Sequence, residues 1–211
     1  MIIGHYAVGF ASKRFAPRSS LGVLMAAPLL LDLLWTIFIT LRWAPVSVSA
    51  LAFLSYPYSH SLAMAALWAT VFSLLYFLLT RYGRGAIAIW IGVVSHWFMD
   101  LVVHPPDLPL IPGNELRLGF GLWNHRLLTI VIETILFVLA AWMYLRVTRP
   151  KDKVGVYGCW GLFVMMGLSY VVVILGPPQP DLKTLMGVSY AMWVFVLWAW
   201  WVDRHREQRF L

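Results

Sequence analysis

The stretch at residues 85–103 constrains this chain most strongly, because it is long and apolar yet carries ionisable side chains towards its end. His96, Asp100 and His104 follow one another at intervals of four residues, which places them along one face of a helix. A charged side chain at the centre of a bilayer costs about 2.5–3.5 kcal/mol, so such residues usually face a partner or a cavity. Histidine and aspartate at this spacing can bind one metal ion.

The composition predicts an integral membrane protein. The chain has 211 residues, of which 61% are hydrophobic and 12% are charged, whereas an ordinary soluble domain carries about 25% charged residues. The net charge of +7 comes from short clusters between apolar segments. That distribution is typical of membrane topology and not of nucleic-acid binding. We expect one integral membrane domain over residues 1–211, with membrane lipid as its partner and no nucleic acid.

Six segments are long enough to cross about 30 Å of hydrocarbon. They are residues 19–41, 59–80, 85–103, 125–145, 154–175 and 184–202. Residues 1–12 form only about 18 Å of helix, which is too short to span. We expect them to enter from the cytoplasmic side, anchored by Lys13 and Arg14, with His5 about 12 Å inside. The predicted fold is all-α: a polytopic helical bundle of six transmembrane helices plus a short amino-terminal half-helix.

Positive charge predicts the orientation of this bundle. The two termini and the second and fourth loops hold 12 of the lysines and arginines, and the other three loops hold 4, namely Arg42, Arg117, Arg126 and Lys183. Because positively charged loops stay inside, both termini should be cytoplasmic in a multi-pass protein of the plasma membrane, here a bacterial inner membrane.

This topology gathers the buried ionisable residues between mid-membrane and the outer surface. They come from the first four spans, and they are Asp32, His60, His96, Asp100, His104 and Glu133. Of the polar residues expected within the membrane, His5 of the half-helix is the one placed in the inner half. The last two spans carry no ionisable residue within their apolar stretches. We therefore expect residues 1–146 to form the site-bearing helices and residues 154–203 to support them.

Several of these residues also have a structural interpretation. His96 and Asp100 could form a simple hydrogen-bonded pair, and His104 could cap the helix that ends beside it. Glu133 could bond a neighbouring helix or a backbone group. Ser59 could cap the helix that begins after it.

Taken together, five of the residues make a plausible ligand set for a metal. They are His5, Asp32, His60, His96 and Asp100, which are hard or borderline ligands without a thiolate. Such a set suits one or two divalent ions, with zinc expected and manganese or iron as alternatives. Zinc lowers the pKa of a bound water to about 7 and so supplies hydroxide at neutral pH. Glu133 or His104 could then act as the general base or orient a ligand.

A family resemblance appears in the order of these residues. His5, Asp32, the sequence His60-Ser61-Leu62 and the pair Ser95-His96 with Asp100 recur in one order over residues 1–125. This order resembles the bacterial inner-membrane metal-dependent hydrolase family, which includes LexA-regulated membrane hydrolases. The resemblance implies a metal site formed by the five ligand residues and a hydrolase activity.

The chain departs from that family at its first span. Where the family has Pro-Asp-x-Asp, this chain has Leu31-Asp32-Leu33-Leu34, so one carboxylate is absent and the proline stands at Pro28. This leaves the number of ions open. Residues 104–110 and 119–124 look like an uncharacterised subfamily, which implies no activity.

The leading hypothesis is a membrane-embedded metallohydrolase that cleaves a lipid-like ester or phosphoester in the outer half of the bilayer. Asn124, Asp107 and Ser59 are its candidate substrate-binding residues, near the outer loop 105–123. One alternative is a proton- or cation-coupled transporter, in which Asp32, Asp100 and Glu133 carry charge. The other is a non-catalytic membrane subunit whose polar cluster only fixes helix packing.

Overall fold

The computed structural model describes residues 1–41, 57–176 and 182–209, and these ranges are almost entirely helical. The helices are α1 (Ile3–Phe15), α2 (Leu21–Ala26), α3 (Leu30–Thr40), α4 (Pro57–His60), α5 (Leu62–Thr80), α6 (Gly83–Val103), α7 (Arg126–Val147), α8 (Lys153–Leu175) and α9 (Leu182–Arg204). Short 3₁₀ turns lie at Ala27–Leu29 and Leu122–Asn124. The prediction of an all-α fold is confirmed.

Two small two-stranded sheets are the sheet structure that the described ranges contain. Strand β1 (Leu108–Pro109) pairs antiparallel with β2 (Arg117–Leu118) in the loop after α6. Strand β3 (Thr148–Pro150) pairs antiparallel with β4 (Arg206–Gln208) and joins the end of α7 to the end of α9.

Five helical stretches are long and apolar enough to cross a membrane: α2 through α3, α5, α6, α7 and α8. Their exposed surfaces carry large apolar side chains such as Leu67, Val138 and Trp160, as expected of helices that face lipid. The sixth predicted span is helical as well, within the 23 residues of α9, and its crossing of the membrane stays a prediction. Arg42 lies outside the described residues.

The first predicted span is broken in the middle. Pro28 has no backbone N–H and cannot continue the α-helical hydrogen bonding of α2, so a 3₁₀ turn separates α2 from α3. Helix α6 approaches this break closely at Gly92, where an added Cβ would lie 3.0 Å from the Cβ of Ala27. The absence of a side chain at Gly92 therefore lets α6 lie close to the broken segment.

Helix α1 is the predicted half-helix, and it lies inside the bundle. It packs against α2, α6 and α7. Gly9 allows the closest approach, because an added Cβ there would stand 2.7 Å from the Cα of Met25. Further along α1, the ring of Phe10 is fully buried and packs edge-on against Phe163 and Phe137, at centroid distances of 5.2 and 6.0 Å.

A buried ion pair holds the carboxyl end of α1. Lys13 Nζ donates to Asp203 Oδ2 at 2.7 Å, and the backbone N–H of Leu21 donates to the same oxygen at 3.0 Å. The Tyr144 hydroxyl donates to Asp203 Oδ1 at 3.2 Å. Asp203 thus ties together α1, α2, α7 and α9. Lys13, expected to be a surface anchor, is instead buried with 5% exposure.

The start of α8 is capped on the same end of the bundle. Asp152 Oδ1 accepts from the backbone N–H of Gly155 at 2.9 Å, and its other oxygen lies 2.7 Å from His205 Nδ1. The hydrogen bond with His205 holds the pKa of Asp152 below its ordinary value.

We predict that Asp203→Asn lowers the free energy of unfolding by about 3 kcal/mol, because it leaves the buried Lys13 ammonium without its counter-charge. Glu207→Gln is the matched control, since the Glu207–Arg149 pair is exposed and such pairs contribute at most about 1 kcal/mol. Chemical unfolding in detergent measures both. Equal losses in the two variants would contradict the prediction.

Candidate metal centre

His96 on α6 is the central residue of the candidate site and is fully buried. Its Nδ1 lies 2.7 Å from the carbonyl oxygen of Pro28, which can only accept. Nδ1 therefore carries the proton, and in the neutral ring Nε2 has a free lone pair. A backbone carbonyl that fixes a histidine in this way is common beside metal ions. The carbonyl is in reach because of the helix break at Pro28.

Two carboxylates face the lone pair of His96. Asp100, one turn further along α6, places Oδ2 3.0 Å from Nε2, and Asp32 of α3 places Oδ1 3.6 Å from it. None of these three atoms can donate when the carboxylates are ionised. A cation between them, either a proton or a metal ion, removes their mutual repulsion.

His60 joins this group from α4. Its Nε2 lies 3.2 Å from Asp32 Oδ1, and its Nδ1 lies 2.8 Å from the hydroxyl of Ser59. The expected capping role of Ser59 is wrong. Ser61 caps α5 instead, with its hydroxyl accepting from the backbone N–H of Met64 at 3.3 Å.

His5 approaches Asp100 from the first turn of α1. Its Nε2 lies 3.1 Å from Asp100 Oδ1, and its ring stacks on that of His96 at 4.1 Å with an interplanar angle of 7°. The amino nitrogen of Met1 lies 2.7 Å from Asp100 Oδ1 and 3.1 Å from His5 Nε2. The amino nitrogen of Met1 therefore contacts both members of this pair.

The five expected ligands form two groups that share His96. One is His5, His96 and Asp100, the other is Asp32, His60 and His96, and within each group the ligand atoms lie within 4.8 Å of one another. Ligands of a tetrahedral zinc ion stand about 3.4 Å apart, given bonds of about 2.1 Å. The contacts of 3.0–3.6 Å around His96, Asp32 and Asp100 match that spacing. Either group could hold a divalent ion.

His104 and Asp107 extend the cluster towards the hairpin loop. His104 Nε2 lies 3.9 Å from Asp100 Oδ2, its Nδ1 lies 3.5 Å from Asp107 Oδ1, and all three side chains are buried. The ring of His104 packs on Trp123 at a centroid distance of 4.2 Å. His104 is also the residue at the carboxyl end of α6, where its backbone N–H donates to the carbonyl of Asp100 at 2.8 Å.

Glu133 contacts α1. Its fully buried side chain accepts the backbone N–H of Ile2 at 2.7 Å and that of Gly4 at 3.1 Å, both at Oε2. These donors belong to the first turn of a helix, which has no partners of its own for them. Glu133 therefore bonds a neighbouring helix and holds the turn from which His5 projects. Its catalytic role stays a prediction.

The remaining candidates lie at the edge of the cluster. Asn124 is exposed in the 3₁₀ turn that precedes α7, and His125 beside it is exposed too. The substrate-binding roles of Asn124, Asp107 and Ser59 stay predictions.

Two residues of the site were missed by the sequence analysis, namely Pro28 as a hydrogen-bond acceptor and Gly92 as the point of close approach. The signal for them was a proline in the middle of an apolar span and a glycine one turn before His96.

Comparison of the chain with protein-family models, curated proteins and solved structures gives no match. Fold and site together define a multi-pass, membrane-type helical protein with a buried His/Asp cluster that could hold a metal ion.

We predict that Glu133→Ala lowers the free energy of unfolding by about 3 kcal/mol, because two buried N–H groups lose their acceptor. Glu133→Gln should lose less, since both N–H groups donate to one oxygen and the amide oxygen can still accept them, without the charge. Thermal unfolding in detergent, together with protease cleavage near the amino terminus, measures the effect. An alanine variant as stable and as resistant as the parent would show that α1 is held by other contacts.

Proposed function

We propose that this chain is a membrane-embedded metal-dependent hydrolase that cleaves a lipid-like ester or phosphoester. The observation that carries the proposal is the position of His96 Nε2, which is buried and lies 3.0 Å from Asp100 Oδ2 and 3.6 Å from Asp32 Oδ1. A cation is needed among these groups, and a divalent ion bound by the ring nitrogen and the carboxylates would meet that need.

The residues present fit a divalent ion. His60, His96 and Asp32, with Asp100 beside them, supply nitrogen and oxygen ligands without a thiolate, a set that suits zinc and also manganese or iron. When bound, a zinc ion would supply a hydroxide nucleophile at neutral pH. His104 is the proposed general base, because its Nε2 lies beside Asp100 while Asp107 faces its other ring nitrogen. Asp107 would then fix the orientation of the ring.

A through-path for ions is disfavoured by an aromatic layer. The candidate site and the Lys13–Asp203 pair lie towards opposite ends of α1, and the buried rings of Phe10, Phe137 and Phe163 lie between them. A transporter needs polar groups along its path. A site that is closed on one side is what an enzyme in the membrane requires.

The orientation and the family are part of the proposal. The distribution of lysine and arginine supports cytoplasmic termini and a site in the outer half of the bilayer of a bacterial inner membrane. The order of His5, Asp32, His60, His96 and Asp100 supports membership of the inner-membrane metal-dependent hydrolases.

We predict that the purified protein contains about one or more equivalents of a transition metal. His96→Ala and Asp100→Ala should remove this metal, because each substitution deletes a side chain that would bind it. His125→Ala is the control, since His125 is exposed and outside both ligand groups. Elemental analysis gives the metal content, and thermal unfolding reports whether each variant is folded. Less than about a tenth of an equivalent in the folded parent protein would contradict the proposal.

Hydrolysis provides the second test. In liposomes, the parent protein should cleave fluorogenic lipid-like esters or phosphoesters, a chelator should abolish the activity and zinc should restore it. Asp32→Ala should lower the rate by about a hundredfold, because losing a ligand weakens the binding of the ion that supplies the hydroxide. Activity that survives the chelator or the substitution would overturn the metal-dependent mechanism.

A further inference from the structure

The five ligand residues differ in one respect, which is their exposure. The side chains of His5, His60, His96 and Asp100 are 0–5% exposed, whereas that of Asp32 is 28% exposed. The ligand group of His5, His96 and Asp100 is therefore sealed. The group of Asp32, His60 and His96 is open at Asp32, and no other member of the two groups gives comparable access.

The opening lies at the depth of the hydrocarbon. Asp32 is the twelfth residue of the 20-residue apolar stretch Leu21–Thr40, so it stands about 12 Å below the end of that stretch. Leu33 and Ile37, on the same helix, are partly exposed as well. At this level the surroundings of the bundle are acyl chains, because the hydrocarbon core is about 30 Å thick.

An exposed carboxylate at this depth is unfavourable without a functional reason. Structural zinc sites are closed by protein ligands, whereas catalytic sites keep one coordination position open for water or substrate. The exposure of Asp32 distinguishes the two ligand groups in this way. Asp32, His60 and His96 would hold the ion, and within this group Asp32 is the residue that water or a substrate can reach.

From this geometry we infer that the substrate is an amphiphile which reaches the site sideways from the lipid, past Asp32. Its apolar tail stays among the acyl chains beside Leu33 and Ile37, and its ester or phosphoester group reaches Asp32. This inference rests on the proposed function for the identity of the reacting group. The location of the opening does not depend on it.

Two carbodiimides test the opening on the full-length protein in liposomes. Dicyclohexylcarbodiimide is apolar, partitions into the bilayer and forms stable adducts with carboxyl groups, whereas a charged, water-soluble carbodiimide stays outside. Peptide mass spectrometry then gives the adduct yield at Asp32, Asp100 and Glu133. Glu115, exposed in the loop between β1 and β2, is the internal control for the water-soluble reagent.

We expect the apolar reagent to modify Asp32 at least about tenfold faster than Asp100 or Glu133, because sealed groups react only through local opening. The water-soluble reagent should modify Glu115 and react at least about tenfold more slowly with Asp32, given that a charged reagent is excluded from hydrocarbon. Asp32→Asn should remove the adduct from that peptide, and Glu115→Gln should leave it unchanged.

Three outcomes would overturn the inference: equal modification of Asp100 or Glu133, no modification of Asp32, or rapid reaction of Asp32 with the water-soluble reagent. The last would show that the opening faces water. Zinc separates this inference from the proposed function. If saturating zinc fails to protect Asp32 from the apolar reagent, the metal site is wrong while the opening towards lipid stands.

Discussion

The hydrogen bond between His96 and the carbonyl of Pro28 is the interaction on which the candidate site depends. It fixes a proton on Nδ1 and thereby turns Nε2 towards two carboxylates in the interior of the bundle. The bond exists because the first span is broken at Pro28, and because Gly92 lets α6 come close to the break. A helix break costs backbone hydrogen bonds, which are hard to replace in a membrane. Here the carbonyl of Pro28, at the break, orients a side chain.

Helix α1 is held between two polar ends. Glu133 binds the N–H groups of its first turn, and Asp203 binds Lys13 in its last turn. Both carboxylates come from other helices, so the position of His5 depends on contacts from α7 and α9. Between the two ends, Phe10 packs among buried aromatic rings. This arrangement explains how a helix too short to span the bilayer can bring a histidine to a fixed place inside it.

The two ligand groups share one histidine and differ in their surroundings. An imidazole nitrogen has one lone pair, so His96 Nε2 can bind one ion at a time, and an ion in the open group would use it together with Asp32 and His60. Asp100 faces both groups, with Oδ2 near His96 and Oδ1 near His5 and the Met1 nitrogen. The sealed group is therefore suited to support, and the open group to chemistry.

Much of this could be predicted from the sequence alone. The apolar segments determined a multi-pass helical protein, because a bilayer imposes length and composition on anything that crosses it. The interval of four residues determined that His96 and Asp100 share a face, since an α-helix has a fixed pitch. Asp32 was identified as a candidate because ionisable residues are rare in apolar spans. The apolar stretch before Lys13 is too short to span a membrane and so indicated the half-helix.

Only the tertiary structure decided which of these residues contact one another and how far each is exposed. Proline encodes the helix break at Pro28 locally, but the packing of α6 against that break is a tertiary contact that no local pattern encodes. Glu133 of α7 bonds the first turn of α1, and Lys13 pairs with Asp203, through contacts between residues more than a hundred positions apart. The assembled bundle likewise decides that Asp32 is partly exposed whereas Asp100 is buried. Local spacing determines which side chains share a helix face, whereas packing determines which faces meet and which remain open.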